Sequence, residues 1–324
     1  MPALILTTLL LHHAVALRLG DGLQDAKTAS LPTAFDDAAW WDGVDVGESA
    51  QAPIESTAEV RMPRAPERAE PRANVSIFGM FNSGTNLAQT VLSNAYPALS
   101  VCPETSQSRW RGEWSCLHTQ ISKHANPSRV KEWIQTENKA EEQRFVFLVR
   151  NPFSVLEATA RHPYDLKRCV RGLGLDWLQR PCKCAEIVGP EHEVFCARQQ
   201  ENFTSAVEIW NVFTQGYVDL VQDLGKEYAV LVTYEELVKN PRQFLKDSAV
   251  MLAADLRKLP VDEAISKMGG PAKQNGVGRD LAVAKIEAES YLEAFQEPAR
   301  SLLCAGLNRA LMKRLGYDKD CLGH

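Results

Sequence analysis

The run Val75-Ser76-Ile77-Phe78-Gly79-Met80-Phe81-Asn82-Ser83-Gly84-Thr85-Asn86-Leu87 limits the possible folds more than any other stretch. An apolar, β-type segment ends in a Gly/Ser turn, after which Leu87, Val91 and Leu92 recur at helical spacing. A strand entering a helix through such a turn points several backbone N–H groups at one spot, at the positive end of the helix dipole. That spot suits phosphate. Gly79 and Gly84 have P-loop spacing, but Thr85 and Asn86 stand where a nucleotide triphosphatase needs Lys and Ser/Thr. The Lys would contact the terminal phosphates and the hydroxyl would hold Mg²⁺. The loop therefore reads as a phosphate cradle without the apparatus of metal-dependent triphosphate hydrolysis. A ligand-free strand-helix turn is the plain alternative.

The pattern downstream alternates. Arg144-Phe145-Val146-Phe147-Leu148-Val149-Arg150 is a nearly continuous apolar run, as expected of a central parallel strand. Asn151-Pro152 ends it, and Ser154 is placed to cap a helix from Val155. Ala206, Val207, Trp210, Phe213, Tyr217, Leu220 and Val221 fall at helical spacing, and Ala229 to Tyr234 reads as another buried strand. A helix after Pro241 and closing helices carrying Tyr291, Leu292, Phe295, Leu302, Leu303, Leu307, Leu311 and Leu315 follow. The expected fold is α/β and three-layered: a central, mostly parallel sheet with helices on both faces and a P-loop-like strand-turn-helix. Ligands of such sheets bind at the carboxyl ends of the strands, where the loop and Arg150 lie.

The chain's ends and cysteines bear on compartment. Residues 1–16 form a short apolar run closing on Ala14-Val15-Ala16, which reads as a signal peptide, with an uncleaved anchor as the rival. Residues 17–73 read as a disordered acidic linker or stem. Eleven acids there oppose six bases, an excess equal to the whole chain's formal charge of −5. The domain that remains, 74–324, is formally neutral and lacks a basic-aromatic stripe, which argues against nucleic acid. All eight cysteines lie in it. An even number behind a signal peptide favours disulfides. The expected local pairs are Cys102 with Cys116 and Cys304 with Cys321. Cys169, Cys182, Cys184 and Cys196 would staple an insertion at 168–198 in an order left open. Zinc is the weaker reading, because Cys182-Lys183-Cys184 has the wrong spacing and only His192 is near. Sequons at Asn74 and Asn202 mildly support a secretory route, with Asn202 expected to open a helix.

Four segments, in order, resemble the sulfotransferases that use 3′-phosphoadenosine 5′-phosphosulfate (PAPS). Asn82-Ser83-Gly84-Thr85-Asn86 resembles their 5′-phosphosulfate loop, and Phe147-Leu148-Val149-Arg150-Asn151-Pro152 their 3′-phosphate motif. Thr233-Tyr234-Glu235-Glu236-Leu237 with Asn240-Pro241 is similar to their Tyr-Glu-Asp-Leu segment, and Leu311 to Tyr317 to their closing helix. The resemblance covers Asn74 to Tyr317. It implies that Asn82, Ser83, Gly84, Thr85 and Asn86 hold the 5′-phosphosulfate, that Arg150 binds the 3′-phosphate, and that Tyr234 lies near the adenine. Lys273 or Arg279, in the Gly-rich segment from Lys267 to Lys285, would close over the 3′-phosphate. His118 is the expected general base, with His162 second, while His124 reads as a solvated helix residue.

The chain departs from the family in three places. Asn82 stands where many members have a Lys at the leaving oxygen, so Asn82 would serve catalysis only as a neutral donor or another cation replaces it. Leu117 stands where a cation precedes the base. Ala158 replaces the Ser usual eight positions after the 3′-phosphate Arg, with Thr159 and Ser154 as nearby substitutes.

The expected reaction moves a sulfuryl group from PAPS to a hydroxyl or amine, on a glycan or secreted protein, without metal, in the Golgi lumen or outside the cell. Contact with a membrane is expected only if the N-terminal segment stays as an anchor. A non-catalytic nucleotide- or glycan-binding protein on the same scaffold is the alternative, and a P-loop kinase the lesser one.

Overall fold

The computed structural model describes residues 74–96, 100–101, 121–136, 143–170, 176–187, 192–269 and 279–322. The leader and linker readings (1–16 and 17–73), His118, Cys102, Cys116 and Lys273 lie outside the described residues.

Among the described residues four parallel strands make the central sheet in the order β2-β1-β3-β6: β1 is Asn74–Gly79, β2 Ser100–Val101, β3 Gln143–Val149 and β6 Ala229–Thr233. Two two-residue strands, β4 (Cys182–Lys183) and β5 (Asn202–Phe203), pair antiparallel apart from it. The near-continuous apolar run of β3 has a direct cause, since both of its faces are covered. Phe145, Phe147 and Val149 point to one side, where they meet α2 (Pro127–Thr136) and α4 (Ala206–Leu224) through Trp133, Trp210, Phe213 and Tyr217. Val146 and Leu148 point to the other, with Val75, Ile77 and Val232, against α1 (Thr85–Ala95) and α6 (Pro241–Met251) through Val91, Leu92, Phe244 and Leu245. This is the three-layer α/β arrangement expected. The first face is aromatic: the Phe147 ring lies 5.8 Å from Phe78 and 5.3 Å from Tyr217 between centroids. Among the described residues no helix is long and apolar enough to cross a membrane.

The chain leaves β1 for β2 on one side and returns to β3 on the other. The strand order therefore reverses at β1, and the crevice between the β1 and β3 carboxyl ends is the switch point where open sheets bind ligands. Their last paired residues are Gly79 and Leu148, so the turns 80–84 and 150–151 leave the sheet side by side.

Among the described residues three disulfides fix the periphery. Cys304 pairs with Cys321, as expected. The insertion is stapled by Cys169–Cys182 and Cys184–Cys196, which settles the order left open and removes the thiolates a zinc site would need. Two local expectations are corrected. Helix α3 (Pro152–Arg161) starts at Pro152, and its cap is Asn151, whose side chain accepts from the N–H groups of Phe153 and Ser154. Asn has the shorter reach to those amides once Pro fixes the first turn. Asn202 lies exposed in β5, not at a helix start. Helix α4 begins at Ala206, with the Ser205 hydroxyl accepting from Glu208 N–H.

Candidate functional site

The loop after β1 is shaped by close approach. A Cβ on Gly79 would lie 2.2 Å from Ser83 Oγ, so only glycine lets the turn fold back on the strand end. Asn82 (φ 64°) and Gly84 (φ 96°) both take the left-handed region, which Asn tolerates and Gly favours. Gly84 is the N-cap of α1, and no side chain caps that helix. The first N–H groups of an α-helix have no intrahelical acceptor, so those after Gly84 face the loop with donors to give. Ser83 is 1% exposed, and its hydroxyl has no partner among the described residues. A buried hydroxyl without a partner costs about 1–3 kcal/mol, so a ligand oxygen reaching it would relieve that cost.

Arg150 closes the other side of the crevice. Its Nη1 donates to the Asn82 carbonyl at 2.8 Å, its Nε donates to Ser154 Oγ at 2.8 Å, and its own carbonyl accepts from Trp210 Nε1 at 2.8 Å. The guanidinium lies 4.3 Å from the centre of the Tyr234 ring. Tyr234 is the first residue of α5 (Tyr234–Lys239), directly after β6, and a Cβ on Gly84 would come within 2.6 Å of that same ring. Loop, guanidinium and aromatic face thus converge, although Asn82, Arg150 and Tyr234 lie far apart in the sequence.

A deeper layer supports them. Asn151 N–H donates to Glu235 Oε1 at 3.1 Å, and Tyr317 O–H donates to Glu235 Oε2 at 2.7 Å. Asn151 Nδ2 donates to Asp320 Oδ2. Burial pushes the Glu235 and Asp320 carboxyls above their ordinary range; the Tyr317 hydrogen bond offsets part of this for Glu235, and the Asn151 bond part for Asp320.

The remaining predicted residues are placed as follows. The Asn82 amide donates to Thr159 Oγ1 (3.3 Å) and to the His162 carbonyl (3.1 Å). The Thr159 hydroxyl is buried and donates to Val155 O, so it braces Asn82 from inside α3. Arg279 is not aimed at the loop, because its guanidinium donates to the carbonyls of Val238 and Lys239 at the end of α5. His162 is exposed at the end of α3, its ring pulled below the usual pKa by partial burial and by Arg161.

Two neighbours were not singled out for the site in the sequence. The segment 121–126 runs beside the end of β1, with Gly79 N–H donating to the Lys123 carbonyl at 2.9 Å. Lys123 Nζ donates to Asn86 Oδ1 at 3.0 Å, which brings a cation to the loop. His124 is neither solvated nor helical: it is 8% exposed, precedes α2, and its Nδ1 lies 2.6 Å from the Gly79 carbonyl. A carbonyl only accepts, so Nδ1 carries the proton and Nε2 the lone pair. Burial, helped by Lys123, lowers the ring's pKa to about 3 and keeps it neutral. Phe81 packs on His124 with centroids 4.3 Å apart, and on the half-exposed Tyr164 at 5.9 Å.

No family model matches the chain, and no curated protein matches it. Three sulfotransferases are among the solved structures to which it is similar. The sulfotransferase domain from the curacin biosynthetic pathway is 15% identical, over 77% of this chain and 99% of that one, with a TM-score of 0.41. The sulfotransferase domain of the Synechococcus PCC 7002 olefin synthase is 16% identical, over 79% and 98%, with a TM-score of 0.40. A mouse sulfotransferase complexed with PAP is 14% identical, over 77% and 87%, with a TM-score of 0.43. Likenesses this distant carry no argument about activity, which rests on the site itself.

Proposed function

We propose that the chain is a sulfotransferase that transfers the sulfuryl group of PAPS to a hydroxyl or amine. One observation carries the reading: Arg150 lies 4.3 Å over the Tyr234 ring and is hydrogen-bonded to the carbonyl of Asn82, inside a donor-rich loop. A guanidinium beside an aromatic face and an open helix N-terminus offers two anion subsites and a platform for a base between them. That matches a nucleotide with phosphate at both its 3′ and 5′ positions.

In this reading the N–H groups after Gly84, the Ser83 hydroxyl and the side chains of Thr85 and Asn86 hold the 5′-phosphosulfate. Arg150 binds the 3′-phosphate and Tyr234 packs near the adenine. Lys123 supplies the positive charge that Asn82 lacks, while Asn82 keeps the loop shape through Thr159 and His162. We assign the base to His124, whose Nδ1–H bond to Gly79 leaves Nε2 as the acceptor for a proton; the negative charge of a bound phosphosulfate beside it favours the imidazolium and raises a pKa that burial and Lys123 otherwise hold at about 3. The acceptor's O–H or N–H bond then gives its proton to Nε2, and the freed electron pair forms the bond to sulfur. The S–O bond to the 5′-phosphate breaks, and its pair stays on the phosphate oxygen, stabilised by the loop amides and Lys123. Phe81 and Tyr164 line the approach for the acceptor. A glycan or secreted protein in the Golgi lumen or outside the cell is the acceptor class we propose, supported by the three disulfides and the N-terminal pattern.

The engaged amide of Asn82 favours one second reading, a nucleotide-binding protein without transfer activity. Incubating the purified chain with sulfur-labelled PAPS, a chelator and a panel of glycan and protein acceptors separates the two. Label on any acceptor supports transfer; tight PAPS binding with no label on any acceptor supports the binder.

A further inference from the structure

The polar groups behind Arg150 and Tyr234 are held from one element, a helical turn near the C-terminus. Tyr317 precedes and Asp320 lies within a short helical turn, Asp318–Cys321, tied to the helix Ala299–Gly306 by the Cys304–Cys321 disulfide. Arg300 donates twice to the Asp320 carbonyl, at 3.2 and 2.8 Å, and Arg309 donates to the Cys321 carbonyl at 3.3 Å. From this fixed turn two side chains reach inward. Tyr317 O–H holds Glu235, the residue after Tyr234. The Asp320 carboxylate holds Asn151, the residue after Arg150. Glu235 and Asn151 are themselves bonded at 3.1 Å, and Asn151 also caps α3, which carries the Ser154 hydroxyl that accepts from Arg150 Nε. Each member of the Arg150–Tyr234 pair is therefore followed by a residue gripped by the C-terminal turn. The hydrogen bonds of Tyr317 and Asp320 run to Glu235 and Asn151, not to the guanidinium or the Tyr234 ring. Asp320 is 1% exposed and its Oδ1 has no partner among the described residues, so the turn is seated at an uncompensated cost unless the contact serves another end.

We infer that the disulfide-closed C-terminal turn is a positioning element for the 3′-phosphate subsite: Tyr317 and Asp320 set the geometry of Arg150 against Tyr234, and opening Cys304–Cys321 loosens the grip on that phosphate. The inference rests on the proposed nucleotide site and adds a distal control to it. Bond for bond, the disulfide contributes nothing to the ligand; it acts through the order it imposes on the turn.

The test is calorimetric, on the full chain, with 3′-phosphoadenosine 5′-phosphate (PAP) and adenosine 5′-phosphate as probes. Three forms are compared: wild type, Tyr317→Phe, and Cys304→Ser/Cys321→Ser. Tyr317→Phe keeps the ring and the disulfide and removes one hydroxyl. It is expected to weaken PAP about tenfold, the scale of one hydrogen bond to a charged group, and to leave adenosine 5′-phosphate within about twofold. The disulfide-free variant is expected to show the same selective loss. Near-wild-type PAP affinity in a folded Tyr317→Phe protein overturns the inference, as does an equal loss for both ligands, which would mean general loosening of the pocket. If the disulfide-free chain does not fold, the Tyr317→Phe result decides alone. Failure of the wild type to bind PAP overturns the nucleotide site itself, and the positioning role with it.

Discussion

At the scale of single residues, His124 makes the sharpest claim. Asn can place its Nδ2 where His places Nδ1, so His124→Asn retains a donor to Gly79 and loses the proposed base together with the ring's contact with Phe81. Transfer is expected to fall ~10²–10⁴-fold with PAP affinity unchanged, whereas His118→Ala keeps most activity. A steady-state assay of both variants checks this, and the opposite pattern would return the role to His118. The same ring has a signature in stability. Its folded pKa, about 3, lies below the ordinary 6.5, so between those values the unfolded chain binds more protons than the folded one. Stability therefore rises with pH across that window and is complete above it. His124 accounts for up to about 1.4 kcal/mol of loss per pH unit on acidification. Urea titrations from pH 4 to 7 should show a shallower slope for His124→Asn than for the wild type; equal slopes would contradict the buried, neutral ring. Gly84→Ala forces a Cβ into the left-handed region and against the Tyr234 ring. We expect about 1–2 kcal/mol of lost stability from the backbone alone, measured by denaturation, with a larger loss of PAP binding.

At the scale of elements, the strands and the main helices were legible because both-face burial writes a continuous apolar run, as in Phe145 to Val149, and a one-sided helix writes a periodic one, as in Ala206 to Leu220. The loop residues Ser83 to Asn86 and Arg150 were legible for the same reason, since they follow strands that the pattern marks. What the sequence hid depends on tertiary approach. Nothing in the spacing of Lys123 and His124 ties them to Gly79. The visible hint was a cation directly followed by His between the two phosphate motifs, which Leu117-His118 lacks. Arg279 is the converse case: its guanidinium is bonded to the carbonyls ending α5, a contact that nothing in the spacing foretells. The cap of α3 turned on which of two polar residues reaches the first amides. Asn151→Ala removes that cap and takes from Asp320 its nearer donor, leaving Tyr291 O–H at 3.4 Å. Chemical denaturation should show a loss of about 1–3 kcal/mol, and a loss under 0.5 kcal/mol would argue that the network is dispensable.

At the scale of the whole molecule, a parallel sheet whose strand order reverses at β1 sits within a periphery locked by disulfides. Peptide mapping of the unreduced chain is expected to recover Cys169–Cys182, Cys184–Cys196 and Cys304–Cys321; mostly free thiols would contradict both the pairing and the oxidising compartment. The central claim concerns the crevice between β1 and β3, and calorimetry in the presence of a chelator tests it most directly. The wild type should bind PAP, and Arg150→Ala should weaken PAP by roughly 1.5–3 kcal/mol while costing adenosine 5′-phosphate, which lacks the 3′-phosphate, far less. Equal losses for the two nucleotides, or no binding of PAP by the wild type, would contradict the assignment of this crevice as a PAPS site.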